Sequence, residues 1–173
     1  MIIIRFIKKI YWFFYKKLHG FENYLRKKGV KIGDNPHIYS DISTTESYLI
    51  TIGNNVTISN GVQLVTHDNS VCKIIENVTD VFGKITIGDN CFIGAKTTIL
   101  YGVTLPKNTI VAAGSVVTRS VGEEGKIIGG NPARIIGDTN NFADKMKNYA
   151  ININGLSKKE KRKLIESSNF VVR

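Results

Sequence analysis

At 173 residues, 42% of them apolar and 16 of them glycine, the chain fits one folded, β-rich domain and excludes a disordered one. Its formal charge of +10 is unevenly placed: residues 5–31 hold nine Lys or Arg against one acid, and residues 158–163 read Lys-Lys-Glu-Lys-Arg-Lys. No helix-turn-helix, finger or aromatic RNA-binding signature accompanies that charge, which excludes nucleic acid and leaves phospholipid or an anionic small molecule as partner.

Residues 1–30 form a basic arm. Placed on a helix, Arg5, Lys8, Lys9, Lys16 and His19 fall within one sector of about 100°. Ile2, Ile3, Ile7, Ile10, Phe13, Phe14 and Leu18 cover the other side, and Phe21, Tyr24 and Leu25 continue the apolar stripe. The arm has no run of eighteen apolar residues to cross a bilayer, and no cleavable leader pattern. Two readings stay open: a helix that caps the body, or a helix lying in the headgroups of an anionic membrane. The expected location is the cytoplasm, with peripheral contact at the inner face of the plasma membrane under the second reading.

From residue 31 to 137 the pattern changes period. Ile32 and Ile38 lie six apart, as do Ile52, Ile58 and Leu64, and then Ile87, Ile93, Ile99, Leu105, Val111 and Val117. The fifth place of each hexad is small or β-branched: Ile42, Val56, Val62, Cys91, Thr97, Val103, Thr109, Ser115 and Val121. Neither a helix (3.6) nor an ordinary strand (2.0) repeats every six. A chain that turns a corner every six residues builds a three-sided prism, a parallel β-helix with strands stacked about 4.8 Å apart. About twelve hexads make roughly four coils, with the first residue of each pointing inward and the fifth filling the corner. Two extra residues shift the phase around Thr44 to Ser47, and a longer insertion occupies about residues 69–84. Open ends need caps, expected before residue 30 and after residue 137.

His67, in Leu64-Val-Thr-His-Asp-Asn-Ser70, follows an inward Leu by three, so its side chain leaves the prism where the insertion begins. It is the candidate catalytic group, because a histidine offers a neutral base near neutral pH. His19 and His37 are too scattered to complete a zinc site with it, so no metal is expected. In the insertion Asn69, Ser70 and Lys73 are candidates for hydroxyl contacts. Cys72 and Cys91 fit no metal spacing and read as reduced thiols, Cys91 buried in its corner. Residues 138–173 form a C-terminal segment. Within it Ser157-Lys-Lys-Glu160 reads as a capping box opening a short basic helix through Ile165.

The segment GKITIGDNCFIGAKTTILYGVTLPKNTIVAAGSVVTRSV, followed by GGNPARIIG, resembles the hexapeptide-repeat acetyltransferases. That family includes galactoside, maltose and serine acetyltransferases and bacterial polysaccharide O-acetyltransferases. The resemblance covers about residues 30–137, and AAGSVVT and NPAR make it specific as to fold and cofactor. It implies a left-handed β-helix, a homotrimer, and acetyl-CoA lying in a groove between two subunits. His67 matches the family's catalytic histidine, which takes the proton from the acceptor hydroxyl and returns it to the departing thiolate. A backbone amide near Gly94 and Ala95 would meet the oxyanion. Ala95 and Ala113 match positions along the pantetheine arm, Thr118 and Arg119 a pair near the nucleotide phosphates, and Arg134 the arginine at the 3′-phosphate. Small corner residues and solvated arginines also suit a β-helix without a ligand. Phe92 stands where the galactoside enzymes carry Trp beside the thioester, and Asp68 where they carry Pro; both, with Asn69, are candidate substrate contacts.

The implied activity is O-acetylation of a sugar hydroxyl on a bacterial surface glycan or its lipid- or nucleotide-linked precursor. The alternative is N-acetylation of a nucleotide-linked amino sugar. A third reading keeps the fold as a scaffold without turnover.

Overall fold

The computed structural model describes residues 10–12, 15, 18–42 and 44–172. Of the arm's proposed two-sided helix, Ile2, Ile3, Arg5, Ile7, Lys8, Lys9, Phe13, Phe14 and Lys16 lie outside the described residues. The arm ends in α1 (Phe21–Lys27), whose Leu25 is fully buried in the core and whose Phe21 and Tyr24 pack on its edge. Arg26 donates from Nη2 to the carbonyls of Ile32 (3.0 Å) and Gly33 (2.6 Å), tying α1 to the first strand. Trp12 packs edge-on against Tyr24 at 5.2 Å, with the Lys28 ammonium 5.6 Å from the Tyr24 ring. Helix α1 therefore closes the open first coil.

Short strands succeed it, one to each hexad: β1 (Lys31–Ile32), β2 (His37–Ile38), β3 (Ile50–Ile52), β4 (Thr57–Ile58) and β5 (Gln63–Leu64). At the insertion come β6 (His67–Asp68) and β7 (Val81–Phe82), and beyond it β8 (Ile85–Ile87), β9 (Phe92–Ile93), β10 (Thr98–Ile99), β11 (Thr104–Leu105), β12 (Ile110–Val111) and β13 (Val116–Val117). They stack as three parallel sheets, β1-β3-β8-β11, β2-β4-β9-β12 and β5-β10-β13. Register aligns Ile32 with Ile52, Ile87 and Leu105; Ile38 with Ile58, Ile93 and Val111; and Leu64 with Ile99 and Val117. Ile52, Ile58, Ile87, Ile93, Ile99, Leu105, Val111 and Val117 are essentially dry. Each contributes about 1.5–3 kcal/mol by leaving water. The corner places are buried too, with Val56, Thr97 and Thr109 fully enclosed; the Thr109 hydroxyl donates to the Pro106 carbonyl at 2.8 Å. Cys91 is buried, its thiol pushed up by desolvation, while Cys72 is exposed.

Among the described residues, the third sheet takes no strand from the first coil. At the corner before β3 the chain makes a 3₁₀ turn, Ser47–Leu49, after the two-residue phase shift.

One corner of the prism is built on asparagine. Asn35, Asn55, Asn90 and Asn108 adopt left-handed backbone angles (φ 51°, 53°, 55° and 60°), which short polar side chains tolerate. The amides of the first three form a ladder, Asn35 donating to Asn55 at 3.1 Å and Asn55 to Asn90 at 2.6 Å. Gly88 lies against the next coil: a Cβ there would stand 2.7 Å from the Lys107 backbone nitrogen and 2.8 Å from the Pro106 carbonyl carbon. Gly88→Ala is therefore expected to cost about 1–3 kcal/mol through forced backbone movement. Thermal unfolding reads it, and an unchanged Tm would contradict so close an approach.

The last hexads give way to something other than a coil. The strands β14 (Lys126–Gly130) and β15 (Ala133–Asp138) form an antiparallel hairpin, with β14 paired to β12 and Ile128 buried beside Val111. The closure of this end thus begins at residue 126, earlier than the expected start after residue 137, because β14 continues the second sheet and then folds back on itself. Helix α2 (Thr139–Met146), not expected from the sequence, comes at once; the Asp138 carboxylate caps it by accepting from the Asn141 N–H at 2.9 Å. Helix α3 (Lys158–Glu166) opens with a capping box between Ser157 and Glu160. No helix among the described residues is long and apolar enough to cross a membrane.

Candidate active site

His67 lies on β6, a two-residue ribbon with β7 that pairs His67 with Phe82 and Asp68 with Val81 at the base of the insertion. Its side chain leaves the prism and is 43% exposed. The first coil supplies a partner that sequence reasoning did not single out: His67 Nδ1 lies 2.8 Å from Oε2 of Glu46, which is only 14% exposed. Hydroxyls surround that carboxylate. Thr45 donates to Oε1, and Thr66 (3.0 Å) and Thr44 (3.2 Å) donate to Oε2. The hydrogen bond from Thr45 first, then those from Thr66, His67 and Thr44, outweigh the opposing desolvation and hold the Glu46 carboxyl down to about 2.

This fixes a tautomer. An ionised carboxylate only accepts, so Nδ1 of a neutral His67 carries the hydrogen and the lone pair is left on Nε2. The ring is held by one nitrogen and free to act as a base with the other. Glu46 was legible in principle. The register offset between the first two coils is 20 residues, as in Ile38 against Ile58, an eighteen-residue coil plus the two-residue phase shift. That offset places residue 46 over residue 66, beside His67.

Asp68 points elsewhere. Its carboxylate accepts from the Ser70 N–H at 2.8 Å and the Tyr101 hydroxyl at 3.5 Å, contacts that lower its pKa, the Ser70 amide most. It closes the turn of the insertion, and Asn69 is exposed at the start of the 3₁₀ turn Ser70–Lys73. The exposed Phe82 ring stands 5.9 Å from the His67 ring. A cavity of about 450 Å³, lined by Asp41, Thr44, Gln63, Thr66 and His67, opens beside β5 and β6.

Three of the proposed cofactor positions meet in a different place. Gly94, Ala95 and Ala113 line a groove of about 740 Å³ with Phe92, Ile110 and Ile136. It lies at the opposite end of the third sheet's strands from His67, since Gly94 and Ala95 precede β10 and His67 comes after β5. Phe92 therefore belongs to this groove and not to the histidine in the same chain. Gly94 has a structural reason for lacking a side chain: a Cβ would meet the Ala113 nitrogen at 2.5 Å. Its amide is also committed, donating to the Val111 carbonyl at 2.8 Å, so as oxyanion donor Ala95 is the remaining candidate of the two. Arg119 and Arg134 share a third, smaller cavity of about 220 Å³ beside Ala133, with Thr118 next to Arg119 in the chain. The two arginines are brought together, although fifteen residues apart, by the β14–β15 hairpin.

Residues 84–119 match a family model described as the hexapeptide repeat of succinyl-transferase. Protein CapG of Staphylococcus aureus is 42% identical over 146 residues, covering 82% of this chain and 84% of that protein. Galactoside O-acetyltransferase of Escherichia coli (strain K12) is 31% identical over 121 residues, 69% of this chain and 58% of that one. Among solved structures, a hexapeptide-repeat-containing acetyltransferase from Vibrio cholerae, complexed with acetyl coenzyme A, superposes with a TM-score of 0.55 at 30% identity. The match covers 65% of this chain and 61% of that one. Apart from CapG, the chain spans less than two thirds of each of these relatives.

Proposed function

The chain belongs to the hexapeptide-repeat acetyltransferase family, and on that premise we propose that it moves acetyl from acetyl-CoA to a sugar hydroxyl of a bacterial surface glycan or its precursor. The observation that carries the reading is the His67–Glu46 pair, a held imidazole with a free Nε2 beside a cavity lined by Asp41 and Gln63. The groove fits the donor in kind: small residues at Gly94, Ala95 and Ala113 admit a thin chain closely, and apolar Phe92 and Ile110 flank it. Bound there, acetyl-CoA would supply an activated thioester carbonyl.

The residues of the chain do the rest. His67 Nε2 accepts the proton as an acceptor hydroxyl attacks, and the imidazolium so formed is stabilised by Glu46 through Nδ1–H. The Ala95 N–H is the donor available to the developing oxyanion. The same imidazolium returns its proton to the leaving sulfur. Separation of His67 from Ala95 and Ala113 across one face supports a composite site, in which the histidine of one subunit serves the groove of its neighbour in a homotrimer. Mixing chains carrying His67→Asn with chains carrying Ala113→Trp is then expected to restore activity that neither has alone. No recovery in proven mixed oligomers would contradict a shared site.

The exposed Leu18 and the basic arm support peripheral contact with an anionic membrane, which suits a lipid-linked acceptor. Incubation with labelled acetyl-CoA and a panel of lipid-linked and nucleotide-linked sugars, read by mass spectrometry, tests the function. A hydroxylamine-labile product supports the ester; a hydroxylamine-stable amide on an amino sugar would favour N-acetylation. No transfer to any member, with CoA binding intact, favours a scaffold.

A further inference from the structure

We propose that helix α2 forms the outer wall of the donor groove and that Lys145 on it is a phosphate contact; the proposal rests on the acetyl-CoA reading above and goes beyond the residues that reading uses. Asn141, Phe142 and Lys145 all line the groove that holds Gly94, Ala95 and Ala113. Their spacing of one, three and four residues puts them on one face of the helix. The helix is set in place by its own start, because Asp138 ends β15 and caps α2 in the same residue.

Among the residues lining this groove only Asp138 and Lys145 carry charge. The Asp138 carboxylate is occupied by the Asn141 backbone N–H (2.9 Å) and side-chain amide (2.5 Å). Lys145 has no ion pair among the described residues, whereas Lys107 and Lys126 are paired with Glu124 and Glu123. Phe142 is 45% exposed, and no residue of α2 is buried in the core. An exposed aromatic and an uncommitted ammonium on one helix face, opposite a floor of glycine and alanine, suit a ligand with a narrow apolar arm and an anionic end. Coenzyme A has that form. Arg119 and Arg134 line a separate cavity, so Lys145 is the cation nearest to hand in the groove itself.

The test measures binding of coenzyme A and of pantetheine, which lacks the phosphates, to the full chain by calorimetry or ligand-observed NMR. Lys145→Ala is expected to weaken coenzyme A roughly tenfold, the size of one charge-assisted contact, and to leave pantetheine unchanged. Lys145→Arg retains most of the affinity, and Phe142→Ala weakens both ligands. Since Lys145 is exposed and has no ion pair among the described residues, its variants should not shift the melting temperature appreciably, and a melt of Phe142→Ala checks that this variant is folded. Unaltered coenzyme A binding by Lys145→Ala, or an equal loss for pantetheine, overturns the assignment while the donor reading stands. A folded wild-type chain that binds no coenzyme A overturns both.

Discussion

Replacing His67 with Ala or Asn is expected to reduce acetyl transfer by about 10²–10⁴-fold, the usual worth of a positioned general base. The loss should fall on kcat, with coenzyme A affinity unchanged, because the donor groove is lined by Phe92, Gly94, Ala95 and Ala113 and the imidazole only moves the proton. Stability should fall only by the hydrogen bond that Nδ1 gives the Glu46 carboxylate, a modest loss. The His67 side chain is 43% exposed, and its strand is held by backbone pairing to β7. Steady-state kinetics with either acceptor class, together with a thermal melt, reads all three quantities. Activity within a few fold of wild type would remove His67 from the chemistry and leave the groove without a base.

Glu46→Gln is expected to cost on the order of 10² in kcat, in line with the loss of a carboxylate that sets a catalytic tautomer. The amide can donate to Nδ1 as well as accept from it. Where it donates, the ring hydrogen moves to Nε2 and the base is lost. Glu46→Asp, which keeps the charge on a shorter stem, should recover part of the rate. A stability signature accompanies this. Its carboxyl is lowered from 4.5 to about 2, so the ionised form is favoured by the fold. The stabilisation is fully present above about pH 4.5 and is lost as pH falls toward 2. The Tm gap between wild type and Glu46→Gln should therefore be constant above pH 4.5 and close below it. A gap independent of pH would mean the hydroxyl cluster does not hold a charge.

The prism could be read from the sequence because its determinants are local and periodic. Ile87, Ile93, Ile99, Leu105, Val111 and Val117 must each face an interior with room for one branched side chain per turn, and all six are buried. Gly88 and the asparagine corner arise from the same repetition, as does the outward exit of His67. A repeat has no memory of what it encloses at its ends. The β14–β15 hairpin and α2 were not legible because Lys126–Gly130 continues a sheet without obeying its period. Residues 139–146 bury nothing in the core, so no inward-facing position marks them in the sequence.

What the amino-acid order determined by itself, then, was the period of six, and through it the three-sided core and a lone histidine expelled at an insertion. Only the folded chain decided that Glu46 and His67 are partners, since 21 residues separate them and stacking of one coil on the next, two residues out of phase, makes them touch. Within one chain, folding also places Phe92, Gly94 and Ala95 at one corner and His67 at another, because each hexad turns the chain to a new face. Charge obeyed the same rule. The Glu46 carboxyl is held below its ordinary value by Thr45 and Thr44 of its own coil together with Thr66 and His67 of the next, and the second pair lies outside any local stretch of sequence.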